Sequence, residues 1–169
     1  MDKETINNLV SEVQHIAENA GNLIMTFFDE LAEEEVEYKA DQSPLTLADK
    51  AANTQIVDEL MNLDDSIPII SEEGLAQNLD NAKTFWLVDP LDGTKEFING
   101  SQEFTVNIAL IDEGEPVLGV IHQPPTNITT YGSKEAGAFI VGDEEKLSTS
   151  SPEKTCMLAV SKRHSSGEE

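Results

Sequence analysis

Apolar residues recur at three- and four-residue spacings through the opening stretch: Ile6, Leu9, Val10, Val13, Ile16, Ala17, Ala20, Ile24, Phe27, Phe28 and Leu31. That period places them on one stripe of an α-helix, with Glu12, Glu18, Asn19 and Asn22 on the wet side. Gly21 interrupts the stripe and weakens the helix unless a neighbour packs closely against it. Glu33 to Glu35 close the segment, and Val36 to Lys39 reads as a short strand. Ser43-Pro44 marks a break. Thr46-Leu47-Ala48-Asp49 then opens a second helix, whose apolar face comprises Ala51, Ala52, Ile56, Val57, Leu60 and Met61. Asp64-Asp65-Ser66 ends it.

After Ser66 the period changes. Pro68-Ile69-Ile70 and Phe85-Trp86-Leu87-Val88 are short apolar runs, the second stopping abruptly at Asp89-Pro90. Phe104 to Ile111 and Val117 to Ile121 flank the turn-rich Asp112–Pro116 and predict a β-hairpin. Pro124-Pro125 separates a further strand at Ile128 to Tyr131. Gly137 to Val141 and Met157 to Ser161 read as two more, with Ser148 to Pro152 as loop. Two helices followed by strands with short connections predict an α+β fold, the helices packed on a mostly antiparallel sheet. Lys162 to Glu169 are polar and carry no closing element.

Composition narrows the chemistry. The chain has 169 residues, with 10 Lys or Arg against 33 Asp or Glu and a formal net charge of -23. The length suits one domain or a piece of a larger one. A hydrophobic fraction of 38% excludes wholesale disorder. The charge excludes nucleic-acid binding through a basic surface, because phosphates would be repelled. A phosphorylated ligand would need a cation between it and the protein, and a divalent metal is the obvious bridge. The same excess of acid also keeps a surface soluble, or fits a salty habitat. Cys156 stands alone, so no intrachain disulfide forms, which fits a reducing compartment. Met1 to Glu12 are too polar for a secretory signal, and no apolar run approaches the ~18 residues of a membrane span. The expectation is a soluble cytoplasmic protein.

The densest chemical signal is Asp89-Pro90-Leu91-Asp92-Gly93-Thr94, delivered by an apolar strand. Pro90 favours a tight turn, and Gly93 lets the backbone bend or approach a ligand. Two carboxylates converging on one turn repel unless a cation lies between them, and hard ions such as Mg²⁺ prefer all-oxygen ligands. Thr94 reads as a cap for a helix over Lys95 to Ile98, whose free N–H groups would face an anion. Taken alone, the turn reads first as an acidic helix cap that binds nothing. An EF-hand is excluded, since Leu91 and Gly93 occupy positions that need oxygen ligands. Ser71-Glu72-Glu73-Gly74 alone reads as a solvated loop. Thr46-x-x-Asp49 alone reads as a capping box. His15 reads as an exposed helical residue, His122 as following a strand, and His164 as part of the tail. Cys156 reads as a small core residue. No Ser-His-Asp set and no phosphate-binding glycine loop is present in the sequence.

In combination the motifs become specific. Trp86-Leu87-Val88-Asp89-Pro90-Leu91-Asp92-Gly93-Thr94 resembles the signature of the inositol monophosphatase superfamily of metal-dependent, lithium-sensitive phosphatases. Lys95-Glu96-Phe97-Ile98 and Glu103 to Leu110 resemble its 3′(2′),5′-bisphosphate nucleotidase branch, where the inositol branch usually continues Thr-Asn-Phe. Ser43 to Asp49 and Ser71 to Gly74 resemble the upstream motifs, in the right order. The resemblance implies that Glu72 and Asp89 bind a first Mg²⁺ with the Leu91 carbonyl, and that Asp89 and Asp92 bind a second. It implies that the Leu91-Asp92-Gly93-Thr94 turn holds the scissile phosphate of a nucleotide bisphosphate. Thr94, hydrogen-bonded to Asp49, would orient and activate the attacking water. The implied reaction converts 3′-phosphoadenosine 5′-phosphate to AMP and phosphate, a step tied to sulfate assimilation.

The family pattern includes a further aspartate, in a Trp-Asp motif of a C-terminal α/β region, that completes the second metal site. The 169 residues stop before such a motif, and Ala159 to His164 resemble the entry into that region. The expectation is therefore an N-terminal metal- and phosphate-binding portion spanning residues 1–169. It would bind the first ion weakly and turn over slowly or not at all. An uncovered apolar face or sheet edge would favour self-association.

Overall fold

The computed structural model describes residues 3–33, 44–74, 82–143 and 145–148. Two helices, α1 (Lys3–Glu33) and α2 (Pro44–Leu63), precede the sheet. The strands are β1 (Ile69–Ser71), β2 (Thr84–Asp92), β3 (Thr105–Asp112), β4 (Glu115–Gln123), β5 (Ile128–Ser133) and β6 (Gly137–Ile140). A short helix, α3 (Thr94–Ile98), separates β2 from β3, and a single 3-10 turn at Pro124–Thr126 separates β4 from β5. The six strands form one sheet in sequence order. Every pairing is antiparallel except β1 with β2, which run parallel. This is the expected α+β arrangement. The strands expected at 36–39 and 157–161 lie outside the described residues, as do Cys156 and His164.

Alternation along each strand sends one set of side chains to the helices. Trp86, Val88, Val106, Ile108, Leu110, Leu118 and Val120 are buried on that face, under Val13, Ala17, Ala20 and Ile24 of α1 and Ala48, Ala52, Ile56 and Leu60 of α2. The opposite face has no covering element among the described residues, and Leu87 and Ile121 on it are 46% and 51% exposed. The β3–β4 hairpin closes through Glu113 and Gly114, both at positive φ (51° and 81°), the geometry a two-residue turn requires. The connection is thus tighter than the five-residue turn read from composition.

Gly21 meets the condition set by its sequence position. His122 lies within β4 rather than after it, 1% exposed, with its ring edge against Gly21. Thr129 Oγ donates to Glu18 Oε1 at 3.0 Å, so its single proton is used. The 2.9 Å contact to His122 Nδ1 must then be donated by the ring, which fixes the Nδ1–H tautomer. At the other end of α1, Phe28 packs against Phe97 and Phe104 at ring-centroid distances of 5.4 and 5.2 Å. This aromatic triangle ties α1, α3 and the start of β3 together, and so holds the turn that follows β2.

Candidate active site

Asp89 and Asp92 are separated by three positions, which on a regular strand would send them to opposite faces. The structure resolves the conflict with a bulge. Thr84 to Asp89 pair with Asp112 to Asn107 in steady register, but Asp92 pairs with Thr105, so β2 carries one extra residue between the two acids. Pro90 and Leu91 take up the irregularity, and both are buried. Asp89 and Asp92 therefore emerge on the same, uncovered face, beside Asn107 and Thr105. Leu91 N–H donates to Asp89 Oδ1 at 3.2 Å, and Asn107 Nδ2 donates to Asp92 Oδ2 at 3.3 Å. A cavity of about 640 Å³ opens there, lined by Glu72, Asp89, Asp92 and Asn107 with apolar walls from Leu87 and Ile121.

The other acids arrive from β1 and α2. Parallel pairing sets Ser71 beside Val88, and Glu72 N–H donates to the Val88 carbonyl at 3.1 Å, which brings Glu72 to Asp89. On α2, Asn53 Oδ1 accepts the Ser71 hydroxyl at 2.6 Å in a buried bond. Asp49 lies one helical turn earlier on the same face of α2 and so reaches the same turn of chain. There it comes up against the Glu73 carboxyl.

The electrostatics follow from this crowding. Burial, the Glu73 carboxyl, and the charges of Asp89 and Glu72 push Asp49 up to about 7 from an ordinary 3.8. Burial and the charges of Glu72 and Asp92 push Asp89 up to about 7 as well, against the smaller opposing effect of the Leu91 N–H. Asp49 Oδ1 is buried without a hydrogen-bond partner. No three acidic, histidine or cysteine side chains among the described residues stand close enough together to hold an ion as they are. The donor set is nonetheless all oxygen, mutually repelling, and has one buried lone pair unspent. It fits a hard divalent cation, which would relieve each of those costs.

Two local expectations change. Gly93, at φ +94°, caps α3 with no side-chain bond, and Thr94 is the first helical residue. The reason is steric as well as conformational: a Cβ on Gly93 would lie 2.7 Å from the Glu103 carbonyl oxygen. Likewise α2 begins at Pro44, so Asp49 lies inside the helix and not in a capping box. Asp49 stands near Glu73, with its Oδ1 unbonded. Sequence reasoning gave no role to Asn53, Glu73 or Asn107. The one available signal was Asn53, a polar residue four positions after Asp49 on an otherwise apolar helix face.

The chain that carries this acidic bulge has counterparts among known proteins. The model of the inositol monophosphatase family matches residues 6–169. The chain belongs to the inositol monophosphatase family. Within that family, the 3′(2′),5′-bisphosphate nucleotidase CysQ of Escherichia coli O6:H1 is 47% identical over 133 residues, covering 78% of this chain and 54% of that protein. The CysQ of Bacteroides thetaiotaomicron is 35% identical, with a TM-score of 0.68 over 87% of this chain and 53% of that one. An inositol monophosphatase of Thermotoga maritima superposes with a TM-score of 0.70 at 29% identity, covering 85% and 54% of the two chains. The chain spans about half the length of these relatives.

Proposed function

We propose that the chain carries the metal- and phosphate-binding part of a Mg²⁺-dependent phosphomonoesterase that hydrolyses 3′-phosphoadenosine 5′-phosphate to AMP and phosphate. The observation that supports this most is the convergence of Asp49, Glu72, Glu73, Asp89 and Asp92 on one end of the sheet, with Asp49 and Asp89 both pushed up to about 7. The 47% identity to a bisphosphate nucleotidase supports the nucleotide over an inositol phosphate.

In this reading Glu72, Asp89 and the Leu91 carbonyl hold one Mg²⁺, and Asp89 with Asp92 holds a second. When bound, the ions supply charge to polarise the phosphoryl oxygens and to stabilise the leaving alkoxide. The chain's own residues do the rest. Gly93 lets the Leu91–Thr94 turn come close to the scissile phosphate. The Thr94 hydroxyl orients the attacking water. A threonine is a poor base, so the proton passes to a carboxylate, and Asp49 has a buried oxygen free to take it. Asn107 holds the Asp92 carboxylate through its 3.3 Å bond.

The test is phosphate release from 3′-phosphoadenosine 5′-phosphate and from inositol monophosphate, with and without Mg²⁺, alongside Mn²⁺ uptake by wild type and Asp89→Ala. Mg²⁺-dependent release that is faster from the nucleotide supports the reading. Faster release from inositol phosphate moves the chain to the sister branch. A partner that Asp89→Ala still binds, with cation uptake and hydrolysis both unaffected by that change, leaves a non-catalytic acidic module, and no Mn²⁺ uptake defeats the proposal. Self-association belongs to the same reading. A second copy would cover Leu87 and Ile121, and salt should promote it by screening the net charge of -23. A monomer at every concentration and salt level in sedimentation velocity would count against it.

A further inference from the structure

We propose that Asn53 is a positioning residue for the acidic site, acting through Ser71 on the Glu72–Glu73 turn. The inference rests on the reading above that this site takes up a divalent cation. Asn53 and Ser71 are each 7% exposed, and the Ser71 hydroxyl donates to Asn53 Oδ1 at 2.6 Å. Ser71 Oγ in turn accepts the Glu73 N–H at 3.3 Å, and the turn is closed by Gly74 N–H to the Ser71 carbonyl at 3.1 Å. Glu72 N–H is held on the other side by the Val88 carbonyl. The turn carrying Glu72 and Glu73 is thus fastened twice, to β2 through backbone and to α2 through Asn53.

The second fastening does something apolar packing cannot. Ala48, Ala52 and Ile56 of α2 are buried against the core through apolar contacts, which carry no directional bond. A buried amide and hydroxyl must be paired, and they pair in one register only. That register sets Asp49 opposite Glu73 and near Asp89 and Glu72, where like charges push α2 away from the turn. Asn53 holds the acid-bearing turn and α2 near one another against that repulsion, so a cation has less far to draw the carboxylates in.

The experiment measures Mn²⁺ affinity by the electron-spin signal of the free ion, and stability by urea unfolding. It compares the 169-residue wild type with Asn53→Leu, Ser71→Ala and the double variant. Each single change strips one partner from a buried bond and lowers stability. Removing both takes away the buried pair together and leaves only the half-buried Glu73 N–H without its Ser71 acceptor, so the double variant recovers part of the stability lost in Asn53→Leu and Ser71→Ala. The expected result is a 10- to 100-fold loss of Mn²⁺ affinity in all three, about the effect of losing an outer-shell partner, with no recovery in the double variant. Affinity that recovers together with stability makes the bond merely structural and overturns the proposal. So does affinity within about twofold of wild type throughout. A double variant that does not fold makes the bond a requirement of the fold and also overturns it. A wild type that takes up no Mn²⁺ removes the cation reading itself, and the proposal with it.

Discussion

Gly21→Ala sets two physical rules against each other. In the middle of a long helix, alanine in place of glycine favours the helix by about 1 kcal/mol. At this position, however, the new Cβ would lie 2.4 Å from His122 Cδ2, 2.5 Å from Nε2 and 3.1 Å from Pro124 Cγ. Carbon contacts relax at ~3.5–4.0 Å, so something must move by roughly 1 Å or more. The ring has nowhere to go: it is 1% exposed and bonded to Thr129, which is bonded to Glu18 on α1 itself. Lifting α1 instead opens its interface with β4. Overpacking costs about 1–3 kcal/mol, and a pinned ring belongs at the upper end. Straining the Thr129 bond adds about 1 kcal/mol. After the helix gain, the net loss is about 1–3 kcal/mol, which lowers Tm by roughly 3–10 °C in a chain of this size. Thermal and urea unfolding measure it, with His122→Ala and the double variant completing a cycle. Alanine at 122 makes room for the methyl, so the two changes should be less than additive by at least about 1 kcal/mol. A Gly21→Ala chain as stable as wild type, or more so, would refute the reasoning and leave helix propensity as the only term.

Asp89→Asn removes one of the two carboxylates pushed up to about 7; solvent screening leaves a gain of about 1 kcal/mol in metal-free stability near neutral pH, while Mn²⁺ uptake is lost. Urea unfolding and metal titration read both, and lower stability would contradict the repulsion argument. Metal-free stability should also fall as pH rises from about 5 to about 8. Asp49 and Asp89 have folded pKa values raised to about 7, so their contribution is fully present below 3.8 and is lost as pH rises through 7. Mg²⁺ should restore Tm more at the alkaline end than at the acid end, and an equal shift at both ends would count against it. His122 has the opposite sign. Burial lowers its pKa below 6.5, against the raising effect of Glu18, so its contribution is present above 6.5 and is lost as pH falls. Replacing it with Gln should flatten the acid limb of the Tm profile and leave the alkaline limb unchanged.

Much of this molecule is local in origin. The three- and four-residue spacing from Ile6 to Phe28 specifies α1, because a helix stripe is a property of near neighbours. The apolar run ending at Asp89 specifies β2, and the two β-rich runs around Glu113-Gly114 specify the hairpin, for the same reason. The motif from Trp86 to Thr94, taken with Asp49 and Glu72 in order, was sufficient for the family.

What the chain order could not reveal is how distant segments meet. Asp89 and Asp92 share a face only because β3 pairs with β2 through a one-residue slip. Asp49 turns to Glu73 because α2 is keyed to β1 through Asn53 and Ser71, residues that individually read as ordinary polar positions. Gly93 replaces Thr94 as the cap because the backbone at Glu103 passes too close for a side chain, and Gly21 is required because His122 fills the space above it. Periodicity records which face of an element is apolar. It carries no record of register, of bulges or of close approach between elements, because those are settled jointly by both partners when the sheet and helices pack.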